Sequence, residues 1–175
     1  PHLHLSLRAG DDLVLKRMKR RHLRADAIRM IERLKAKRDI AIGADLIAGF
    51  PTEDEAMFAN TLALIHDCAI VHAHVFPYSP RANTPAARMP QVTPALARER
   101  AARLREAAQR QKRAWLAGMI GSQQAIVLEK PGDRGHTPGF AELRVADPLA
   151  SPAIGQILSL RVTGATDDHL IGTTI

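Results

Sequence analysis

The sequence predicts an α/β protein in two parts: a parallel α/β half-barrel through residue 92, and a small all-β barrel of the oligonucleotide-binding type from residue 121. Three observations carry that prediction. Strand-like and helix-like patterns alternate through the first 76 residues. A long basic helix follows. After Gly121 the chain changes to short strands separated by turn residues.

The first strand is residues 2 to 9, where His2-Leu3-His4-Leu5-Ser6-Leu7 alternates and Gly10-Asp11-Asp12 supplies a turn and a helix start. Leu13, Leu15 and Met18, then Ala27, Ile28, Ile31 and Leu34, give helical spacing carried through the basic stretch Lys16–Arg24. Ile40 to Ala48 is a mostly apolar run, as expected of a strand buried on both faces. Beyond Gly49-Phe50-Pro51, Thr52 and Glu55 have the spacing of a capping box, and Phe58, Leu62 and Ile65 line the helix it opens. A third strand runs from Ile70 to Phe76.

A Pro- and Ala-rich loop then leads to Thr93, which caps a helix with Pro94 at its first position. Leu96, Ala101, Leu104, Ala108 and Trp115 form its expected inner stripe, with Arg98, Arg100, Arg103, Arg105, Arg110, Lys112 and Arg113 outside. Four short antiparallel strands follow, at Ala125–Glu129, Phe140–Val145, Gln156–Val162 and His169–Thr173. The expected division is therefore residues 1–92, a linking helix 93–120, and a β-barrel 121–175.

Composition narrows the function. No apolar run approaches the ~18 residues of a membrane helix. A single cysteine, Cys68, excludes a disulfide scaffold and a cysteine-only metal cage. Twenty-five Lys and Arg against 18 Asp and Glu leave +7, which favours an acidic partner such as RNA. Four Phe, one Trp and one Tyr are too few for a surface of stacked bases. Pro1 opens on a strand already under way, so the chain is expected to begin inside a domain; with no secretory signal in view, the expected location is the cytoplasm.

Several residues invite chemistry. His2 and His4 share one strand face, and His72 and His74 do so two strands later; with no Asp, Glu or Cys in those stretches, packing or polar lining is favoured over metal. One glycine at Gly10 does not make a phosphate cradle. Asp45, inside an apolar strand, must be paired or turned toward a polar cavity, either as a structural partner for an arginine or as a ligand contact. Helix capping alone accounts for Glu53 and Glu55. Arg20 and Arg21, at a junction between helical segments, are more credible anion binders than Lys16 or Lys19. Cys68 reads as a small buried hydrophobe.

Five stretches together resemble the radical SAM methylthiotransferases. Pro1–Asp11 is similar to the fourth barrel strand of that family, and Leu15–His22 to the segment after it. Ala44-Asp45-Leu46-Ile47-Ala48-Gly49-Phe50-Pro51-Thr52-Glu53 resembles the fifth-strand motif. His74-Val75-Phe76-Pro77-Tyr78-Ser79-Pro80-Arg81 with Thr84–Ala87 is similar to the sixth strand and its loop, and Gly121–Ile175 resembles a TRAM domain. The resemblance implies the C-terminal half of a radical SAM partial (βα) barrel followed by a small, OB-like TRAM barrel. His-Leu-Ser-Leu and Phe-Pro-Tyr-Ser-Pro-Arg look most like the subgroup that methylthiolates N6-threonylcarbamoyladenosine in tRNA; sister groups act on isopentenyladenosine or a ribosomal-protein aspartate.

The implied cofactors are S-adenosyl-L-methionine and [4Fe-4S] clusters, the implied partner is tRNA, and neither membrane nor DNA is expected. Residue by residue, the resemblance assigns Ser6, Arg8, Arg20, Asp45 and Phe76 to S-adenosylmethionine. Tyr78, Ser79 and Arg81 go to the modified base. Apart from the resemblance, Lys130, Arg134 and Arg161 give the β module scattered positive charge suited to RNA. The resemblance assigns no catalytic residue and no metal ligand here. Two departures stand out. The family usually has Gln where Arg8 stands, and its Cys-x-x-x-Cys-x-x-Cys motif is not in this sequence, so the chain alone is expected to be inactive. A stand-alone RNA-binding module is the rival expectation.

Overall fold

The computed structural model describes residues 1–129, 131–147 and 153–175. They form two compact units. One comprises Leu3–Gln111, the other Pro1–His2 with Lys112–Ile175.

The first unit is a three-stranded sheet in the order β1 (His2–Arg8), β2 (Ala41–Ala48), β3 (Ile70–Pro77), with β2 and β3 parallel. Alternation gives the sheet two unlike faces. Ile42, Ala44, Leu46 and Ala48 of β2 lie in a core with Leu7 and Val75, packed against helices α2 (Arg24–Lys35) and α3 (Glu55–Asp67) through Ile31, Phe58, Leu64 and Ile65. The residues of opposite parity form the other face, which carries the candidate site.

The helical spacing expected through Lys16–Arg24 is interrupted. Helix α1 (Asp12–Arg17) stops at Met18, Lys19 takes the left-handed conformation (φ 57°), and α2 starts afresh at Arg24. Asp11 caps α1 by accepting from the amides of Leu13 and Val14. Gly10 has a packing role: a Cβ there would stand 2.4 Å from the Asn60 carbonyl oxygen of α3, while its amide donates to Thr61 Oγ1 at 2.9 Å.

The capping box expected from Thr52 does not form. Thr52 sits at φ 67°, and Asp54 caps α3 instead, its Oδ1 accepting from Met57 N at 2.8 Å. A left-handed Thr52 leaves the cap to the next residue with extended backbone and a short polar side chain. Leu62 is only half-buried, whereas Thr61 and Leu64 are fully covered. Cys68 closes α3, buried, with its thiol pushed up to about 11 chiefly by loss of solvation.

Helix α4 (Pro94–Ala117) starts as expected at Thr93, whose Oγ1 accepts from Leu96 N. Its basic outer face is a correction. Arg100 is buried, donating to Glu53 Oε1 at 3.0 Å and to the Glu53 carbonyl at 2.9 Å. Glu53 is therefore no mere cap. Burial pushes its carboxyl up despite Arg100 and the Gly49 amide. Arg103 joins Glu55 at 2.7 Å and lies 4.5 Å from the Phe58 ring centroid. Gly49 (φ +73°) makes the close approach possible, since a Cβ would stand 2.4 Å from the Ala97 Cβ.

The second unit is a closed barrel of five strands, β4 (Gln123–Glu129), β5 (Arg134–His136), β6 (Glu142–Val145), β7 (Ile157–Ala165) and β8 (Leu170–Thr174), ordered β4-β5-β6-β8-β7. Leu116, Ile126, Leu143, Leu160, Val162 and Leu170 fill it. Two expectations change. A fifth strand, β5, lies between the first two expected strands, and β6 pairs with β8 in parallel, so the barrel is not wholly antiparallel. Three residues with no apolar alternation leave β5 no sequence signal. Among the described residues, no helix is long and apolar enough to cross a membrane.

Candidate functional site

The second face of the sheet in the first unit gathers the chemistry. From β1 come His4, Ser6 and Arg8, from β2 Asp45 and Ile47, and from β3 His74 and Phe76. The parallel register sets Asp45 directly across from His74, and Ile47 across from Phe76. Ser6, Arg8, Asp45 and Phe76, expected to face a cofactor, thus share one parity set.

Asp45 is the electrostatic centre. Its Oδ1 accepts from His4 Nε2 at 2.9 Å and lies 3.4 Å from His74 Nδ1, while Oδ2 is 3.5 Å from Arg8 Nη2. The hydrogen bond from His4 holds the Asp45 carboxyl below its ordinary value; Arg8 and the two histidines reinforce this, and partial burial opposes it. Both alternatives open for Asp45 meet here, since its arginine partner is itself on the open face. The preference for packing over metal at the histidine pairs rested on the lack of a carboxylate in their own stretches. The central strand supplies one from between them: His4, Asp45 and His74 offer ligand atoms within 4.8 Å of one another.

Beside this cluster Arg8 holds a left-handed backbone (φ 72°) at the end of β1, an unfavourable conformation for a non-glycine residue. It lines two cavities. The larger, about 550 Å³, is bounded by Arg8, Ile47, Phe76, Tyr78, Ser79 and Arg81, with Thr84 and Ala86 from the following loop. The smaller, about 330 Å³, has Arg8, Arg17, Lys19 and Arg20 around Ile47 and Phe50. Arg20 is anchored by donation from Nη2 to the Ser6 carbonyl at 2.6 Å. Four cations beside apolar walls suit a ligand that combines a carboxylate or phosphate with a flat apolar part.

Tyr78 is fixed by its amide on the Ala48 carbonyl at 2.8 Å and by an edge-on contact with Phe50, centroids 5.3 Å apart. Phe76 is half-exposed. The structure therefore brings Arg8, Phe76, Tyr78, Ser79 and Arg81 to one cavity and Arg8 with Arg20 to the next. Ser6 contributes its carbonyl to the anchoring of Arg20.

The β-module residues are placed differently. Arg134 on β5 is engaged by Asp133 at 3.1 Å and Glu142 at 3.7 Å. Arg161 on β7 is exposed and donates to the Gly121 carbonyl at 3.4 Å. Lys130 lies outside the described residues. Sequence reasoning passed over His4 and His74 as a unit with Asp45, and over Ile47, Thr84 and Ala86. Strand parity carried a signal for Ile47 alone, two residues beyond Asp45.

No family model matches the chain. Curated relatives do. The chain is 42% identical over 171 residues, 97% of its length, to the threonylcarbamoyladenosine tRNA methylthiotransferase MtaB of Rickettsia prowazekii. It is 40% identical over 98% of its length to a tRNA-2-methylthio-N(6)-dimethylallyladenosine synthase of Ruegeria pomeroyi, and 38% identical over 100% to one of Roseobacter denitrificans. It spans about 40% of the length of these relatives.

Proposed function

We propose, for a chain that belongs to the tRNA methylthiotransferase family, that it forms the cofactor- and substrate-facing part of an enzyme that adds a methylthio group to carbon 2 of N6-threonylcarbamoyladenosine in tRNA. The observation that carries this reading is the convergence of Ser6, Arg8, Asp45 and Phe76 on one sheet face, beside a cavity walled by Tyr78, Ser79 and Arg81. The 42% identity to the Rickettsia prowazekii protein supports the choice of base. The relatives named for dimethylallyladenosine, at 38–40%, favour that base as the second reading.

In this reading the sheet unit is part of a radical SAM barrel and the five-stranded unit is its TRAM barrel. The two implied cofactors fare differently. A [4Fe-4S] cluster held by cysteines does not fit this chain: Cys68 is its one cysteine, buried, with a thiol at about 11. No step of radical generation is assigned to this chain's own residues.

S-adenosylmethionine fits better, because the donor set matches its groups. Arg20, anchored on the Ser6 carbonyl, and Arg8 line the smaller cavity with guanidinium groups suited to a carboxylate. Asp45 offers acceptor oxygens at the same face, and Ile47 and Phe76 an apolar surface for a purine. When bound, that cofactor supplies the radical precursor and the methyl group. These side chains bind and orient it, while Tyr78, Ser79 and Arg81 hold the tRNA base at the cavity mouth. The excess of basic residues suits tRNA, and the cytoplasm is the corresponding location.

The test is deletion of the gene encoding this chain, followed by mass spectrometry of total tRNA nucleosides. Loss of 2-methylthio-N6-threonylcarbamoyladenosine is the expected result. Loss of the dimethylallyl derivative instead supports the second reading. Retention of both would leave an RNA-binding role without methylthiolation.

A further inference from the structure

We propose that His4, Asp45 and His74 form a binding site for a zinc-class divalent cation on the open face of the sheet. The site shares Asp45 and Arg8 with the cofactor reading and is an alternative use of the same face, built from side chains this chain already holds together. Three adjacent strands each contribute one residue, His4, Asp45 and His74, whose ligand atoms lie within 4.8 Å of one another, and His4 Nε2 and His74 Nδ1 both approach Asp45 Oδ1. The backbone fixes much of this geometry, because Asp45 and His74 are register partners.

The distances are close to those a metal would impose. Bonds of about 2.0–2.1 Å at a tetrahedral angle separate neighbouring ligand atoms by about 3.3 Å. The two nitrogens stand 2.9 and 3.4 Å from Asp45 Oδ1, so adjustments of a few tenths of an ångström suffice at that oxygen. The imidazoles, with centroids 4.6 Å apart and planes tilted by 39°, both approach the same carboxylate oxygen. Two imidazoles and one carboxylate select zinc, nickel or cobalt over magnesium or calcium, which take oxygen donors.

Access and support are also present. His74 is 65% exposed, which leaves room for water or a ligand atom in a fourth position. Arg8 holds the other carboxylate oxygen, Oδ2, at 3.5 Å and leaves Oδ1 to the cation, as an outer-shell partner does. Its charge opposes the cation, so Arg8 also sets the affinity.

The experiment is calorimetric titration of the tag-free 175-residue chain with Zn²⁺ in the absence of S-adenosylmethionine, paired with a thermal-shift measurement. One zinc per chain is expected, with a rise in melting temperature. His74→Ala, at an exposed position, and Asp45→Asn should each weaken binding by about 100-fold or more. Arg8→Gln should tighten it by about tenfold, because a guanidinium no longer faces the cation. His66→Ala, at another exposed histidine, should change nothing. Absence of saturable zinc binding, or binding that persists unweakened in both His74→Ala and Asp45→Asn, overturns the site. Neither result bears on the tRNA-nucleoside test, so the two proposals fail separately.

Discussion

The barrel unit and the open face of the sheet unit handle polar groups differently. In the barrel unit, charges are paired off locally: Arg134 and Arg144 share Glu142, His136 meets Glu129, and Arg113 and Lys112 meet Asp167 and Asp168. In the sheet unit, cations collect around two cavities and Asp45 serves three basic side chains at once. Closure explains part of the contrast, because a barrel pairs every strand and turns its apolar residues inward. An open sheet keeps one face for other purposes. A local excess of charge beside a cavity is therefore a better sign of a site than basic residues counted along a strand.

The sharpest way to break this comparison is at the charge the sheet unit buries completely. Arg100→Met leaves Glu53 without its counter-ion and should cost about 3–5 kcal/mol. Urea unfolding would show it, and a loss below about 1 kcal/mol would mean that Glu53 sheds its charge freely. Gly49→Ala comes next. A left-handed backbone and a Cβ 2.4 Å from Ala97 predict a loss of about 2–4 kcal/mol. Hydrogen exchange should place that loss at the end of β2 and the start of α4.

Acid should separate the units by sign. Glu53 is raised above its usual value of 4.5 by burial, so its contribution to stability is fully present below about 4.5 and is lost as pH rises through its folded value. Glu142 is lowered from 4.5, first by its hydrogen bond from Arg144; its contribution is present above about 4.5 and is lost as pH falls through its folded value. Acidification from pH 6 toward 4 should thus strengthen the wild type relative to Glu53→Gln and weaken it relative to Glu142→Gln. Parallel unfolding series at each pH check both slopes. The smallest effect is expected in tRNA binding: Arg81→Ala should reduce the salt slope by about 1, and Arg134→Ala by less, because Arg134 is already engaged by carboxylates.

Much of the sheet unit was legible in the sequence because period-2 alternation and helical spacing write burial directly into residue order. The expectation that Ser6, Arg8, Asp45 and Phe76 face one cavity came from the family resemblance, and strand alternation is consistent with it. The Glu53–Arg100 pair was not legible, since its partners lie 47 residues apart and each had a sufficient local explanation, a helix start for one and a basic helix face for the other. The same limit hid the grouping of His4, Asp45 and His74, which depends on strand order and register. In the barrel, β5 escaped because three residues carry no period.

Cys68 has a practical consequence. A lone thiol that is buried and remains protonated at neutral pH reacts with alkylating reagents only when α3 lifts from the sheet. The rate of its modification therefore clocks the opening of the sheet unit without an engineered probe. The barrel has no cysteine to contribute a background signal.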